Sequence, residues 1–115
     1  MAKSRREFPL AELKVHSAEA ASLLKLLANE HRLLVLCHLI AYGKLSVNEL
    51  AKRVGLSQSA LSQHLAKLRS HGVVRFERNA QTLAYGISDP RVERVIAVMK
   101  DIFCSTLGRK SKERA

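Results

Sequence analysis

The stretch Gly55–Arg69, which reads GLSQSALSQHLAKLR, constrains the fold of this chain more than any other segment. Three leucines recur in it with helical spacing and form one apolar face: Leu61, Leu65 and Leu68. A shorter helical segment, 46–53, precedes it, and only a tight turn at Gly55 separates the two. Short polar side chains crowd the start of the second segment, where they can approach base edges in the major groove of DNA. The pattern predicts a helix-turn-helix with Ser57–Ser70 as its recognition helix.

Capping residues mark where three earlier helices begin. Ser17 is expected to cap a first helix, after an irregular segment in which Pro9 disfavours helix, and Asn29 is expected to cap a second that ends at Gly43. The spacing of Ser46 and Glu49 is that of a capping box and predicts the start of a third helix. Together with the recognition helix, these signals predict four consecutive helices.

After the recognition helix the apolar period changes from that of a helix to that of a strand. Two alternating runs, 73–77 and 82–87, predict a β-hairpin with residues 78–81 near its tip. Asp89 and Pro90 then suit the start of a last helix, expected from about Arg91 to Leu107. The predicted fold is mainly α with a β-hairpin wing: a winged helix-turn-helix in the order α-α-α-α-β-β-α.

The expected domain organisation is a single winged-helix domain at 17–107 between a flexible basic N-terminus at 1–16 and a basic tail at 108–115. The first and last helices each carry a wide apolar stripe that the helix-turn-helix cannot cover. We therefore expect a homodimer through these two helices, although the stripes could instead fill the core of a monomer. Twofold symmetry would require a pseudo-palindromic operator.

The charge of the chain favours a polyanionic partner. Its formal net charge is +10 and its isoelectric point is about 10.2, so nucleic acid is the leading candidate and a merely solvated basic surface is the alternative. No apolar run approaches the ~18 residues that a membrane span needs. The first residues lack the apolar core of a secretory signal. We expect a cytoplasmic protein with double-stranded DNA as its partner and no membrane association.

The candidate DNA contacts fall into two groups. Base edges are assigned to four residues near the start of the recognition helix, Gln58, Ser59, Ser62 and Gln63, and Gln63 is the best candidate for a bidentate contact to adenine. Phosphates are assigned to Ser57, His64, Lys67 and Arg69 around that helix, and to Arg75, Arg78, Asn79 and Gln81 on the wing. Lys52 and Arg53 could also touch the DNA backbone. Any single one of these charges could instead be an ordinary solvated side chain.

Two segments give the chain a resemblance to the ArsR/SmtB family of bacterial winged-helix repressors. They are 27–33, LANEHRL, which is similar to the family's start of the second helix, and 56–68, LSQSALSQHLAKL, which is similar to its recognition helix. The resemblance covers about residues 17–107. It implies a homodimer that binds operator DNA. When this homodimer senses an inducer, it would release the DNA or bind it differently.

The metal sites of that family have no counterpart in this sequence. Where its third helix carries thiolates, this chain has Ser46 and Asn48, and the last helix, 91–107, contains no histidine. The five histidines do not pair at i, i+4 on one helix: His16, His31, His38, His64 and His71. We therefore predict no metal ligands and no cofactor.

The two cysteines, Cys37 and Cys104, resemble the dithiol of a persulfide- and redox-sensing subgroup, the SqrR/BigR/HlyU-like regulators. The resemblance implies that a disulfide or polysulfide bridge joins the two thiols of one subunit. A small reactive sulfur compound or oxidant would be the inducer that causes the bridge to form. Such a bridge needs Cα atoms within ~7 Å. The alternative is structural: Cys37 lies on an apolar stripe with Leu36 and Ile40, where a buried thiol is inert.

The function expected from these features is a DNA-binding transcriptional regulator, most simply a repressor, switched by its cysteines. Two alternatives remain open: a metal or metalloid sensor with an atypical site, and a constitutive architectural DNA-binding protein with structural thiols. An enzyme is not expected. His38, the residue after Cys37, points ~100° away from it on a helix, so no base is positioned to activate the thiol.

Overall fold

A computed structural model of the chain describes residues 8–105. Its helices are α1 (Leu10–Leu27), α2 (Glu30–Tyr42), α3 (Val47–Val54), α4 (Gln58–Ser70) and α5 (Pro90–Lys100). Its strands are β1 (Leu45–Ser46), β2 (Val74–Asn79) and β3 (Thr82–Ile87), and a π-helical turn, Asp101–Ser105, follows α5. The sheet is antiparallel in the order β1-β3-β2. The winged helix-turn-helix predicted from the sequence is confirmed.

The caps of α2 and α3 form as their sequences predict, and α4 is capped as well. The Asn29 side chain accepts a hydrogen bond from the backbone N–H of Arg32 at 3.1 Å. Ser46 and Glu49 make both hydrogen bonds of a capping box, at 3.1 and 2.9 Å. The Ser57 hydroxyl caps α4 by accepting from the backbone N–H of Ala60 at 3.1 Å. Local polar chemistry thus sets where these helices begin.

The inward face of the recognition helix is part of the core of the domain. The inward leucines of α4 are at most 1 % exposed and pack with residues of α2, α3, the wing and α5. The largest fully buried side chains are Val35, Leu36, Leu39, Leu50, Leu61, Leu65, Leu68, Val73, Val74 and Val92. Because each fully buried aliphatic side chain contributes roughly 1.5–3 kcal/mol, this core fixes α4 firmly on its scaffold.

The wing is the predicted hairpin, extended by a strand that the sequence does not reveal. Residues 80 and 81 form its turn, where Ala80 has φ of +59°. On its other edge, β1 pairs Leu45 with Tyr85 of β3. Two residues are too few to show the alternation that identifies a strand, so β1 was not predicted. It ties the C-terminal end of α2 to the wing.

The start of the first helix differs from its prediction. The helix begins at Leu10, directly after Pro9, and not at Ser17. A proline's fixed φ suits the first turn of a helix, whose N–H groups have no partners within the helix, so Pro9 precedes the helix without breaking it. Ser17 lies inside α1, where its hydroxyl donates to the carbonyl of Lys14 at 3.0 Å. Residues 1–7 of the expected N-terminal segment lie outside the described residues.

The end of the last helix also differs. The α-helix stops at Lys100, and Cys104 lies in the π-helical turn rather than in a continuous helix to Leu107. Asp89 and Pro90 begin α5 as expected, and the Asp89 side chain accepts from the backbone N–H of Arg91 at 2.9 Å. Leu107 and the expected tail at 108–115 lie outside the described residues.

Helix α1 and the end of α5 leave many apolar side chains in solvent. In α1 only Leu26 and Leu27 are buried. Seven large apolar side chains are exposed on α1, α5 and the π-helical turn: Leu10, Leu13, Val15, Leu24, Val98, Ile102 and Phe103. Between residues 8 and 105, no helix combines the length and apolar character that a membrane crossing requires.

Candidate nucleic-acid interface and thiol groove

The recognition helix presents its polar side chains on one accessible side. The predicted base-reading residues, Gln58, Ser59, Ser62 and Gln63, are all exposed, as is Lys67 one turn further on. Ser57 is exposed too, but its hydroxyl already caps α4 and lies 3.3 Å from the Ser59 hydroxyl. These residues form a continuous polar surface opposite the buried leucines.

Gln58 has a partner on the preceding helix. Its side-chain Nε2 donates to the side-chain Oδ1 of Asn48 in α3. This contact holds the first turn of α4 against α3 and orients Gln58 before any DNA is present. Asn48 was missed by the sequence reasoning, because no periodic signal connects residues ten positions apart on different helices.

His64 does not lie with the other predicted phosphate contacts. Its side chain is partly buried, and its ring centroid lies 5.9 Å from that of His31 at the start of α2. Burial, followed by the charge of Arg32 and the neighbouring His31, lowers the pKa of His64. A neutral imidazole facing α2 is a poor phosphate ligand, so its assignment to DNA has the least structural support.

The predicted wing residues Arg75, Arg78, Asn79 and Gln81 are exposed along β2 and the turn. The Arg75 guanidinium donates to the carbonyl of Ile87 at 3.3 Å. The Arg69 guanidinium lies over the ring of Phe76, 4.3 Å from its centroid, which brings the end of α4 and the wing together. The wing and the recognition helix therefore offer one basic surface.

Lys44 is a second residue that sequence reasoning missed. Its ammonium contacts the Glu77 carboxylate of β2 at 2.6 Å, and this hydrogen bond holds the pKa of Glu77 below its usual value. The pair neutralises the one acidic side chain on β2, which would otherwise repel phosphates. The guanidinium of Arg53, considered for the DNA backbone, lies over the Tyr42 ring, 4.1 Å from its centroid.

A separate groove lies between α2 and α5 and contains both cysteines. We call it the thiol groove; it has a volume of about 600 Å³. Its lining residues are Leu33, Cys37, Ile40, Ala41, Glu93, Ile96, Ala97, Met99, Lys100, Phe103 and Cys104. Both thiols are free and exposed, so Cys37 is not the buried inert residue of the alternative interpretation.

The two thiols are close enough to affect each other. Desolvation by the groove walls is the larger cause that raises the pKa of Cys37, and the charge of Cys104 is the second. Cys37 therefore remains accessible while losing part of its hydration. Cys104 lies in the π-helical turn that follows α5, and π-helical turns occur frequently at functional sites.

Metal coordination has no support among residues 8–105. No three side chains of the types His, Cys, Asp and Glu come together there in a way that could hold an ion. At the start of α5, Arg91 donates to Asp89 at 2.8 Å and to Glu19 of α1 at 3.0 Å. These carboxylates are thus engaged by a cation of the protein itself.

The buried helix-turn-helix, the exposed polar side of α4 and the basic wing define a winged-helix DNA-binding protein. Comparison with known proteins assigns its family. Residues 29–75 match the family described as "Bacterial regulatory protein, arsR family". The transcriptional activator HlyU of Vibrio cholerae is 47 % identical over 83 % of this chain and 87 % of its own length. The chain belongs to the arsR family.

Solved structures agree with this assignment. The transcriptional repressor BigR of Xylella fastidiosa has a TM-score of 0.80 and 32 % identity over 84 % of this chain and 98 % of its own. Reduced HlyU of Vibrio cholerae has a TM-score of 0.75 and 47 % identity over 81 % of this chain and 97 % of its own. The chain is therefore a DNA-binding transcriptional regulator similar to HlyU and BigR, and not an enzyme.

Proposed function

We propose that this regulator binds a pseudo-palindromic operator as a homodimer, and that reversible bridging of Cys37 and Cys104 changes its affinity for DNA. The observation that carries the proposal is that both thiols open onto one groove between α2 and α5. A relative, HlyU, has been described in a reduced form, which agrees with a thiol-dependent state. We propose repression by operator occupancy as the direct effect, as the name of BigR indicates for that protein.

The exposed apolar residues of α1 and α5 support the homodimer. Leu24 of α1 is 56 % exposed and Val98 of α5 is 57 % exposed in the single chain, and contiguous exposed apolar surface commonly marks a protein–protein interface. A second copy would cover them symmetrically. A twofold axis there would set the distance between two recognition helices, which half-site spacing in the operator has to match.

The bridging step can be written with a persulfide, R–S–SH, as the oxidant. One cysteine thiolate takes its outer sulfur, which gives Cys–S–SH and releases R–S⁻. The second thiolate attacks the protein-bound sulfur, forms Cys–S–S–Cys and releases HS⁻. Two cysteine thiolates lose two electrons, and the transferred sulfur gains them as sulfide. A second equivalent of persulfide would leave a longer sulfur bridge by the same exchange.

A bridge in the thiol groove would act on the DNA-binding surface through α2 as well as α5. Helix α2 ends at Gly43, and the next residue, Lys44, pairs with Glu77 of the wing. Strand β1 follows at once and pairs with β3. Moving α2 towards α5 would therefore pull on the wing, while moving α5 would alter the spacing of the two subunits.

Fluorescence anisotropy on the upstream DNA of the protein's own gene tests the proposal. We expect reduced protein to bind tightly and a persulfide donor to weaken binding at least about tenfold, an effect of about 1.4 kcal/mol. A reductant should restore affinity, and Cys37→Ser and Cys104→Ser should each abolish the response. Tight, specific binding that ignores the donor would contradict the switch and favour a constitutive DNA-binding protein.

A further inference from the structure

The walls of the thiol groove are chemically unlike those expected for a site that receives a charged metabolite. Apart from the two sulfurs, most of the lining is hydrocarbon, contributed by Leu33, Ile40, Ile96, Ala97, Met99 and Phe103. The charged groups on the lining are Glu93 and Lys100, one of each sign. The groove thus offers apolar contact area and no excess charge for an ion.

We propose that the thiol groove binds organic persulfides whose R group is uncharged and apolar, and that it selects them over persulfides whose R group is strongly charged. This inference rests on the proposed function and adds to it the chemical class of the inducer. The R group of R–S–SH would lie against the apolar walls, with its sulfane sulfur next to Cys37 and Cys104. Sulfur transfer and release of HS⁻ then proceed as written above, with R–S⁻ as the first leaving group.

The size and composition of the groove support binding before reaction. Its volume of about 600 Å³ falls within the roughly 300–1,000 Å³ of small-molecule sites, which are mostly apolar with a few polar groups. Each buried CH₂ of R would contribute about 0.8 kcal/mol. A peptide-like donor with two carboxylates and an ammonium would have to dehydrate those charges against hydrocarbon, which is unfavourable.

The experiment compares two donors that carry the same reactive group. Benzyl persulfide is apolar, glutathione persulfide is charged, and both can be released from protected precursors. The rate of Cys37–Cys104 bridging in full-length reduced protein is followed by mass spectrometry. Each rate is divided by the rate of the same donor with a small free thiol, which removes differences in intrinsic reactivity.

Ala41 offers a matched pair of variants, because it lines the groove without being one of the reacting thiols. Ala41→Phe should fill the groove, whereas Ala41→Ser should leave its volume nearly unchanged. Circular dichroism checks that both variants are folded. If Ala41→Phe does not fold, Ala97→Phe on the opposite wall replaces it in the same test. Hydrogen peroxide, which needs little space, tests whether the thiols of the filled variant still bridge.

We expect the normalised rate of Cys37–Cys104 bridging to be at least about tenfold higher with benzyl persulfide than with glutathione persulfide. Ala41→Phe should lose this preference, and Ala41→Ser should keep it. Equal normalised rates would overturn the inference and leave the dithiol switch standing. No bridging with either donor or with peroxide would overturn the proposed function itself. A benzyl rate that falls as protein concentration rises would show that a second copy covers the groove, which also overturns the inference.

Discussion

The helix-turn-helix differs from the exposed apolar side chains of α1 and α5, which we call the α1–α5 face, in how completely one chain buries its apolar residues. The inward leucines of α4 are at most 1 % exposed, whereas Leu24 of α1 is 56 % exposed. The helix-turn-helix buries its apolar residues within one chain, and its polar side chains therefore lie on a rigid scaffold. The α1–α5 face leaves its apolar side chains exposed, where another surface can cover them. Under the proposed function, its arrangement would respond to bridging of the cysteines in the neighbouring thiol groove.

One leucine substitution in each region tests whether the two regions differ in their contribution to stability. Leu65→Ala removes a fully buried side chain and should lower the free energy of unfolding by about 2–5 kcal/mol. Leu24→Ala is the matched control, and for an isolated chain it should cost no more than about 0.5 kcal/mol. Urea denaturation at several protein concentrations measures both. Equal, concentration-independent losses would show that the two regions are not different after all.

A second contrast lies within the DNA surface, between α4 and the wing. Gln63→Ala should cost about 1–3 kcal/mol at the specific site and relax its sequence preference, since a base contact is lost. Arg78→Ala should weaken specific and random DNA alike and reduce the salt slope by about 1. Anisotropy titrations at several salt concentrations separate these effects. Equal losses of specificity from both variants would contradict the assigned roles.

The capping box at the start of α3 contributes to the rigidity of the helix-turn-helix. Ser46→Ala removes the acceptor for the Glu49 backbone N–H and should destabilise the fold by about 1 kcal/mol. Glu49→Gln keeps an oxygen that can accept from the Ser46 backbone N–H and should cost less. Thermal denaturation compares the two. If Glu49→Gln is the more damaging, the charge matters more than the cap.

The same contrast explains how far the sequence could predict the structure. Caps at Asn29, Ser46 and Ser57 are local, so the bounds of α2 to α4 could be predicted from neighbouring residues. The long-range contacts could not: Lys44 meets Glu77 across 33 positions. The start of α1 was misplaced because a cap at Ser17 is optional and Pro9 does not prevent a helix that begins immediately after it. The π-helical turn that carries Cys104 has no sequence signature, and the predicted DNA contacts stay predictions.

The smallest expected effect concerns the protonation of Cys37. Its pKa is raised first by desolvation and second by the charge of Cys104. Cys104→Ser removes only the second cause, so the pKa of Cys37 should fall part of the way towards its ordinary value. At a pH just below that pKa, a lower pKa means more thiolate and faster alkylation. The measurement is the pH profile of the iodoacetamide reaction rate in the single-thiol variant and in the wild type.

Both directions of that result bear on the thiol groove. A partial fall means that the apolar walls, more than the second sulfur, keep Cys37 protonated, as expected for a groove that excludes charge. A complete return to the ordinary pKa would mean that the walls do not desolvate Cys37, and the groove would then be as hydrated as an open surface. Ala41→Ser serves as the control, since it should leave the profile nearly unchanged. The protonation of Cys37 therefore reports how well the groove between α2 and α5 excludes water.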